Sequence, residues 1–173
     1  MKLAAAQALF VIMLMIGMNS ARAGFDEGVD AYTKNDVQAA IAEWLPMAKA
    51  GDVKAQCLIG AMHAIGLGVA QDYNEAVRLY RLAAEQGNTY AQNNLGEMYQ
   101  NGTGLTQDIV VAYALYTLSS TNNPSDSNKA ISNRNSLAEK MDAKKIEAAE
   151  ALSRTLSNGN IVQTIEHFLK SKD

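Results

Sequence analysis

The 173-residue chain predicts an all-α fold made of stacked helical repeats. Three observations carry this expectation. Residues 51–86 and 87–122 are one unit written twice at an offset of 36, with Gly51/Gly87, Ala55/Ala91, Gln56/Gln92, Gly60/Gly96, Met62/Met98, Gly66/Gly102, Gly68/Gly104, Gln71/Gln107, Asp72/Asp108, Ala76/Ala112, Leu79/Leu115, Tyr80/Tyr116 and Leu82/Leu118 identical. A period between about 20 and 50 residues marks a repeat array. Within the unit, Ala55, Gly60, Ala76, Ala83 and Ala84 recur at helical spacing, so two helices can approach closely, with Leu79, Tyr80 and Leu82 as bulk between them. Gly66 and Gly68, like Gly102 and Gly104, fall where the first helix ends, and glycine there can take the left-handed conformation that satisfies the last carbonyls. Asp72 then stands as the N-cap of the second helix, and Glu75 completes a capping box in the first unit only.

Residues 1–23 precede the repeats. Lys2 is followed by an apolar run from Leu3 to Met18 broken only by Gln7, and then by Ala21-Arg22-Ala23. This is the pattern of a secretory signal peptide cleaved before Gly24. The alternative, a membrane anchor, calls for about 20 apolar residues, and the run is shorter. No cysteine follows the cleavage site, which argues against a lipoprotein. Nothing later in the chain is apolar for long enough to span a bilayer. Cleavage removes two of the fifteen cations and none of the eighteen acids, so the formal charge moves from −3 to −5 over 150 residues. That length supports one core without staples, and the acidity argues against a nucleic-acid partner. The expected location is periplasmic or secreted.

Residues 24–50 form a partial N-terminal repeat. A shift of 36 sets Asp36, Ala40, Trp44, Ala48 and Gly51 on Asp72, Ala76, Tyr80, Ala84 and Gly87, so residues 37–49 repeat the second helix and residues 25–33 a shortened first one. Trp44 is expected to plug the open end of the stack, and Pro46 to bend or shorten its helix. Residues 51–86 and 87–122 are the two full repeats. Residues 123–173 begin with a polar connector, continue as a helical stretch through Ala130, Arg134, Leu137, Ala138 and Met141, and then a helix capped by Asp142 that carries Ile146, Ala149, Leu152 and Leu156 and ends at Gly159. A short helix over 160–170 closes the chain.

The unit A-Q-x-x-[IL]-G, followed by G-x-G-[VL]-x-Q-D and A-x-x-[LY]-Y, resembles the Sel-one-like repeat (SLR), a relative of the tetratricopeptide repeat. The loop Gly66 to Tyr73 is the most specific part of the match. The resemblance implies a short right-handed α-solenoid of helix-turn-helix repeats with a C-terminal capping helix pair, a bacterial host and a protein or peptide partner. Residues 130–149 look like the closing helix pair of such chains. A cysteine-rich branch of the family, reported to bind or hydrolyse β-lactams, carries paired cysteines in each repeat. Here Cys57 is alone and Asn93 stands at its equivalent.

The residues offer no catalytic constellation. His63 and His167 are far apart and lack Cys, Asp or Glu at ligand spacing, so neither a metal nor a cofactor is expected. Gly66-Leu67-Gly68 follows a helix rather than a strand and recurs at Gly102, which makes it repeat geometry and not a phosphate loop. Asp72 and Asp108 are caps rather than an acid pair. Two function classes follow. The first, preferred, is a non-enzymatic interaction module: an adaptor, scaffold or inhibitor of the toxin-immunity kind. The alternative is a cell-wall or β-lactam hydrolase, which the single cysteine disfavours.

Divergence between the units locates the expected binding face. Positions that pack on a neighbouring unit must stay alike, whereas positions that face a partner are free to differ. On the first helices Lys54/Tyr90, Cys57/Asn93, Ala61/Glu97 and Ala64/Gln100 change character at spacings of 3, 4 and 3 residues, one helical stripe in each unit. This stripe is expected to line the concave face, with Tyr90 as its anchor and Glu85 outside it.

Overall fold

A computed structural model describes residues 23–125 and 129–172; the leader expected over residues 1–23 therefore lies, apart from residue 23, outside them. Among the described residues the chain is all helix: α1 (residues 23–33), α2 (Val37–Lys49), α3 (Val53–Ile65), α4 (Tyr73–Glu85), α5 (Thr89–Asn101), α6 (Ile109–Asn122), α7 (Lys129–Ala138), α8 (Ala143–Leu156) and α9 (Ile161–Lys170). The elements pack in chain order, α2 on α3, α3 on α4, α4 on α5 and α5 on α6, which makes an all-α repeat solenoid. Helices α7 and α8 both close over α6. None of the described helices is long and apolar enough to cross a membrane.

Helix starts are set by acidic and amide side chains. Asp36, Asp52, Asp72, Asn88, Asp108, Asp142 and Asn160 each accept a hydrogen bond from the first turn of the helix that follows, which satisfies donors that have no partner within the helix. The capping box expected at Asp72 is not closed. Asp72 accepts from the amides of Asn74 and Glu75, but its own N–H donates to the carbonyl of His63. The Glu75 carboxylate turns instead to the guanidinium of Arg78, 2.7 Å away. The loop supplies the partner that a reaching Glu75 would have supplied, and Asp108 makes the equivalent bond to the carbonyl of Tyr99 with no glutamate present.

The G-x-G loops have two separate tasks. Gly66 and Gly102 cap α3 and α5 in the left-handed conformation (φ 70° and 69°). Gly68 and Gly104 are also left-handed, and they lie against the preceding unit: a Cβ on Gly68 would meet Val37 at 2.5 Å, and one on Gly104 would meet Tyr73 at 2.8 Å. The repeated glutamines are the matching polar ties. Buried Gln56 donates to the carbonyl of Ala48 and accepts from Gln86, and Gln92 repeats both bonds with Ala84 and Asn122. Buried amides need such partners, which is why these positions are identical in the two units.

Trp44 plugs the open end as expected. It is 2% exposed, its indole N–H donates to the carbonyl of Phe25, and its ring lies 6.1 Å from Phe25 and 5.9 Å from Tyr32. Helix α2 continues past Pro46 to Lys49. Helix α8 stops at Leu156, with Ser157 rather than Gly159 at its cap. Leu82, expected between the helices, is 41% exposed, whereas its equivalent Leu118 is 3% exposed. Leu118 belongs to a helix covered by α7 and α8, a cover that α4 lacks. The last helix docks on α4 and α8, with Ile161 and Ile165 buried.

Candidate partner-binding surface

The first helices of successive units share one face, and a trough runs across it. Over α1 and α3 it is an apolar depression of about 360 Å³ walled by Phe25, Val29, Tyr32, Leu58, Met62 and Ile65, with Trp44 and Leu67 beneath. Between α3 and α5 it continues as a depression of about 410 Å³ bordered by Ala64, Tyr73, Tyr80, Asn94, Glu97 and Asn101. Ala61 and Ile65 belong to both. Of the six large hydrophobic side chains exposed among the described residues, Val29, Tyr32, Ile65 and Tyr73 border this trough. Exposed apolar surface gathered in one place, rather than scattered, marks a contact site.

The structure divides the expected binding residues. Ala61, Ala64 and Glu97 line the trough. Cys57 and Asn93 are 8% and 5% exposed, so neither presents much surface to a partner. Burial pushes the Cys57 thiol up to about 11. Asn93 works from beneath: its amide donates to Glu97 Oε1 at 3.1 Å, and Asn133 of α7 donates to the same oxygen at 3.0 Å and to Asn93 at 2.9 Å. Gln100 accepts from the Tyr116 hydroxyl. Lys54 sits at the start of α3 with its ammonium 5.4 Å from the Phe25 ring centroid. Tyr90, the expected anchor, is 70% exposed and borders neither depression.

The residues missed by sequence reasoning belong to the adjacent stripe. Positions 54, 57, 61 and 64 share a helical face with a neighbour at 54, 58, 61 and 65, and both stripes obey the 3.6-residue period. Leu58 and Ile65 face the trough and Cys57 faces the core. The same repeat comparison carried the signal, since Leu58/Asn94 and Ile65/Asn101 also change character. On the opposite face Glu85 is not an inert surface residue. Its carboxylate accepts from the backbone amides of Ile161 (3.1 Å) and Val162 (2.6 Å) and so caps α9 across 76 residues of chain.

Chemically, the trough presents apolar side chains and side-chain amides beside one carboxylate. Among the described residues no three His, Cys, Asp or Glu side chains are grouped to hold a metal ion. A thiol whose pKa is about 11 stays protonated at neutral pH and is a poor nucleophile. His63, whose Nδ1 is buried without a hydrogen-bond partner, stands where Tyr99 stands in the second unit.

Comparison with known proteins agrees with this architecture. Residues 53–88 and 89–124 each match the Sel1 repeat. Among solved structures the chain is similar to c5321, described as a protective antigen present in uropathogenic Escherichia coli strains and displaying an SLR fold. That similarity has 30% identity and a TM-score of 0.74 over 87% of this chain, which spans about a third (32%) of the length of c5321. It is also similar to a Sel1 repeat protein from Oxalobacter formigenes, with 26% identity and a TM-score of 0.60, over 75% of this chain and 98% of that one. No curated protein matches. Two matched repeats, a continuous stack of helix pairs and SLR-fold neighbours together show that this chain is built on Sel1 repeats, which act as protein-interaction modules.

Proposed function

We propose that this protein is an exported interaction module, an adaptor, scaffold or immunity-type inhibitor of the periplasm or the cell exterior, that holds a protein partner in the trough on the concave face of its solenoid. The observation that carries the reading is the trough itself. The framework residues are identical in the two units, while four of the six large exposed apolar side chains among the described residues, Val29, Tyr32, Ile65 and Tyr73, collect along this trough. Export is supported by the apolar leader and the Ala21-Arg22-Ala23 site, and c5321, to which the chain is similar, is described as a protective antigen.

Mass spectrometry of the protein recovered from cells should find Gly24 as its first residue; uncleaved protein in the membrane fraction would make the leader an anchor. Crosslinking in an envelope extract should recover a partner that is lost in Ile65→Asp and Glu97→Lys and kept in Glu150→Lys, on the exposed side of α8, with all far-ultraviolet spectra alike. Loss of the partner in Glu150→Lys alone would place the contact on the other face. Turnover of a chromogenic β-lactam by the purified protein would overturn the non-enzymatic reading.

A further inference from the structure

The first-helix positions that line the trough change chemistry from one unit to the next. Leu58, Ala61 and Ile65 of the first unit become Asn94, Glu97 and Asn101 of the second, while Ala55/Ala91, Gly60/Gly96 and Met62/Met98 beside them stay the same. We propose that the trough takes an extended segment of the partner protein carrying a large apolar side chain and, about three residues along, a lysine or arginine. The proposal deepens the binding reading above and rests on it.

The apolar half sets the first requirement. Phe25, Val29 and Tyr32 of α1 face Leu58, Met62 and Ile65 of α3 across a depression of about 360 Å³. Val29, Tyr32 and Ile65 are 40%, 46% and 68% exposed, so a large side chain inserted there removes apolar surface on both partners from water.

Glu97 sets the second requirement. The amides of Asn93 and Asn133 both donate to its Oε1 and hold the carboxylate in one position at the trough wall. Among the described residues no basic side chain pairs with it; the four ion pairs present involve Asp30, Glu75, Asp142 and Asp108. A cation is the complement of a positioned carboxylate, because it adds a charge-assisted hydrogen bond to the Coulomb attraction.

The separation follows from the stack. The two depressions adjoin across α3, sharing Ala61 and Ile65, and an extended chain advances about 3.3 Å per residue. A segment that passes over α3, about 10 Å across with its side chains, from one depression into the next therefore advances about three residues.

The test is selection from a random peptide library displayed on phage, using protein purified after expression of the full chain, with Glu97→Lys, Ile65→Asp and Glu150→Lys in parallel. Far-ultraviolet spectra confirm that each variant folds. Selected peptides should carry an aromatic or aliphatic residue two to four positions from a lysine or arginine, by the spacing argued above. Synthetic versions should bind roughly tenfold more weakly to Glu97→Lys and to Ile65→Asp, and equally to Glu150→Lys. The Glu97→Lys protein should itself select peptides with Asp or Glu in place of the cation. Peptides that lack a cation and bind Glu97→Lys as well as the parent, yet are lost in Ile65→Asp, would overturn this proposal and leave the trough as the binding face. Peptides indifferent to both substitutions, or no selection at all, would overturn the binding-face reading with it. If the purified protein is a dimer that Ile65→Asp dissociates, or if it binds peptides only once residues 1–23 are removed, the occupant is a second copy or the chain's own leader, and the proposal fails.

Discussion

Gly60 and Gly96 hold the same place in the two units, and the structure separates what a methyl group would do at each. At Gly60 a Cβ would lie 3.1 Å from two ring carbons of Tyr80 and 3.3 Å from the Cβ of Leu79. Contacts of that length are relieved by a movement of a few tenths of an ångström. At Gly96 the Cβ would lie 2.8 and 2.9 Å from ring carbons of Tyr116 and 3.3 Å from the carbonyl oxygen of Ala112. Tyr116 is fully buried and its hydroxyl is tied to Gln100, so the ring has no free direction. Replacing glycine by alanine inside a helix gains about 0.5–1 kcal/mol, and overpacking costs about 1–3 kcal/mol. The two terms nearly cancel in Gly60→Ala. In Gly96→Ala the clash exceeds the gain by about 1–2 kcal/mol, a fall in Tm of roughly 2–8 °C for a domain of this size. Gly60→Val, with two further methyl groups, should also cost about 1–3 kcal/mol. Thermal melts followed by circular dichroism decide the matter. Gly96→Ala as stable as the parent, or Gly60→Ala the more damaging of the two, would refute the packing argument.

Glu85→Ala should release α9, because it removes the acceptor for the amides of Ile161 and Val162. A loss of about 1 kcal/mol is expected, visible as faster hydrogen exchange over residues 161–170 with the repeats unchanged. Cys57 should resist thiol reagents at pH 8, where burial keeps it protonated with a pKa of about 11, and react at once in denaturant; rapid labelling of the native protein would contradict that burial. The hydrogen bond from Arg78 holds the Glu75 carboxyl below its ordinary range. Its contribution is therefore complete above the ordinary carboxylate pKa and is lost as the pH falls through the lowered one. An NMR titration should show Glu75 moving up toward the ordinary range in Arg78→Ala.

The helix pairs, the glycine loops and the aspartate caps were legible because each is written in residues close in sequence and then written again 36 residues later. A repeated identity such as Gln56/Gln92 signals a repeated contact, and here the contacts are those with Ala48 and Ala84. Trp44 was legible for the same reason, since it occupies the tyrosine position of the first unit among the described residues. The residues that line the trough were only half legible. Periodicity restricts the outward residues of α3 to a face but does not distinguish the stripe through Cys57 from the stripe through Leu58, which lies about 100° around the helix.

Repetition thus determined the fold and the framework, because every unit must pack on its neighbour through the same surfaces. Only the tertiary structure decided which way each first helix is turned. It also decided that Asn133 reaches back 36 residues to hold Glu97, and that Glu85 caps a helix 76 residues away rather than facing solvent. Neither contact is made twice, so neither leaves a period in the chain. A contact between two unique segments depends on how the whole stack brings them together, and no local pattern of residue types records it.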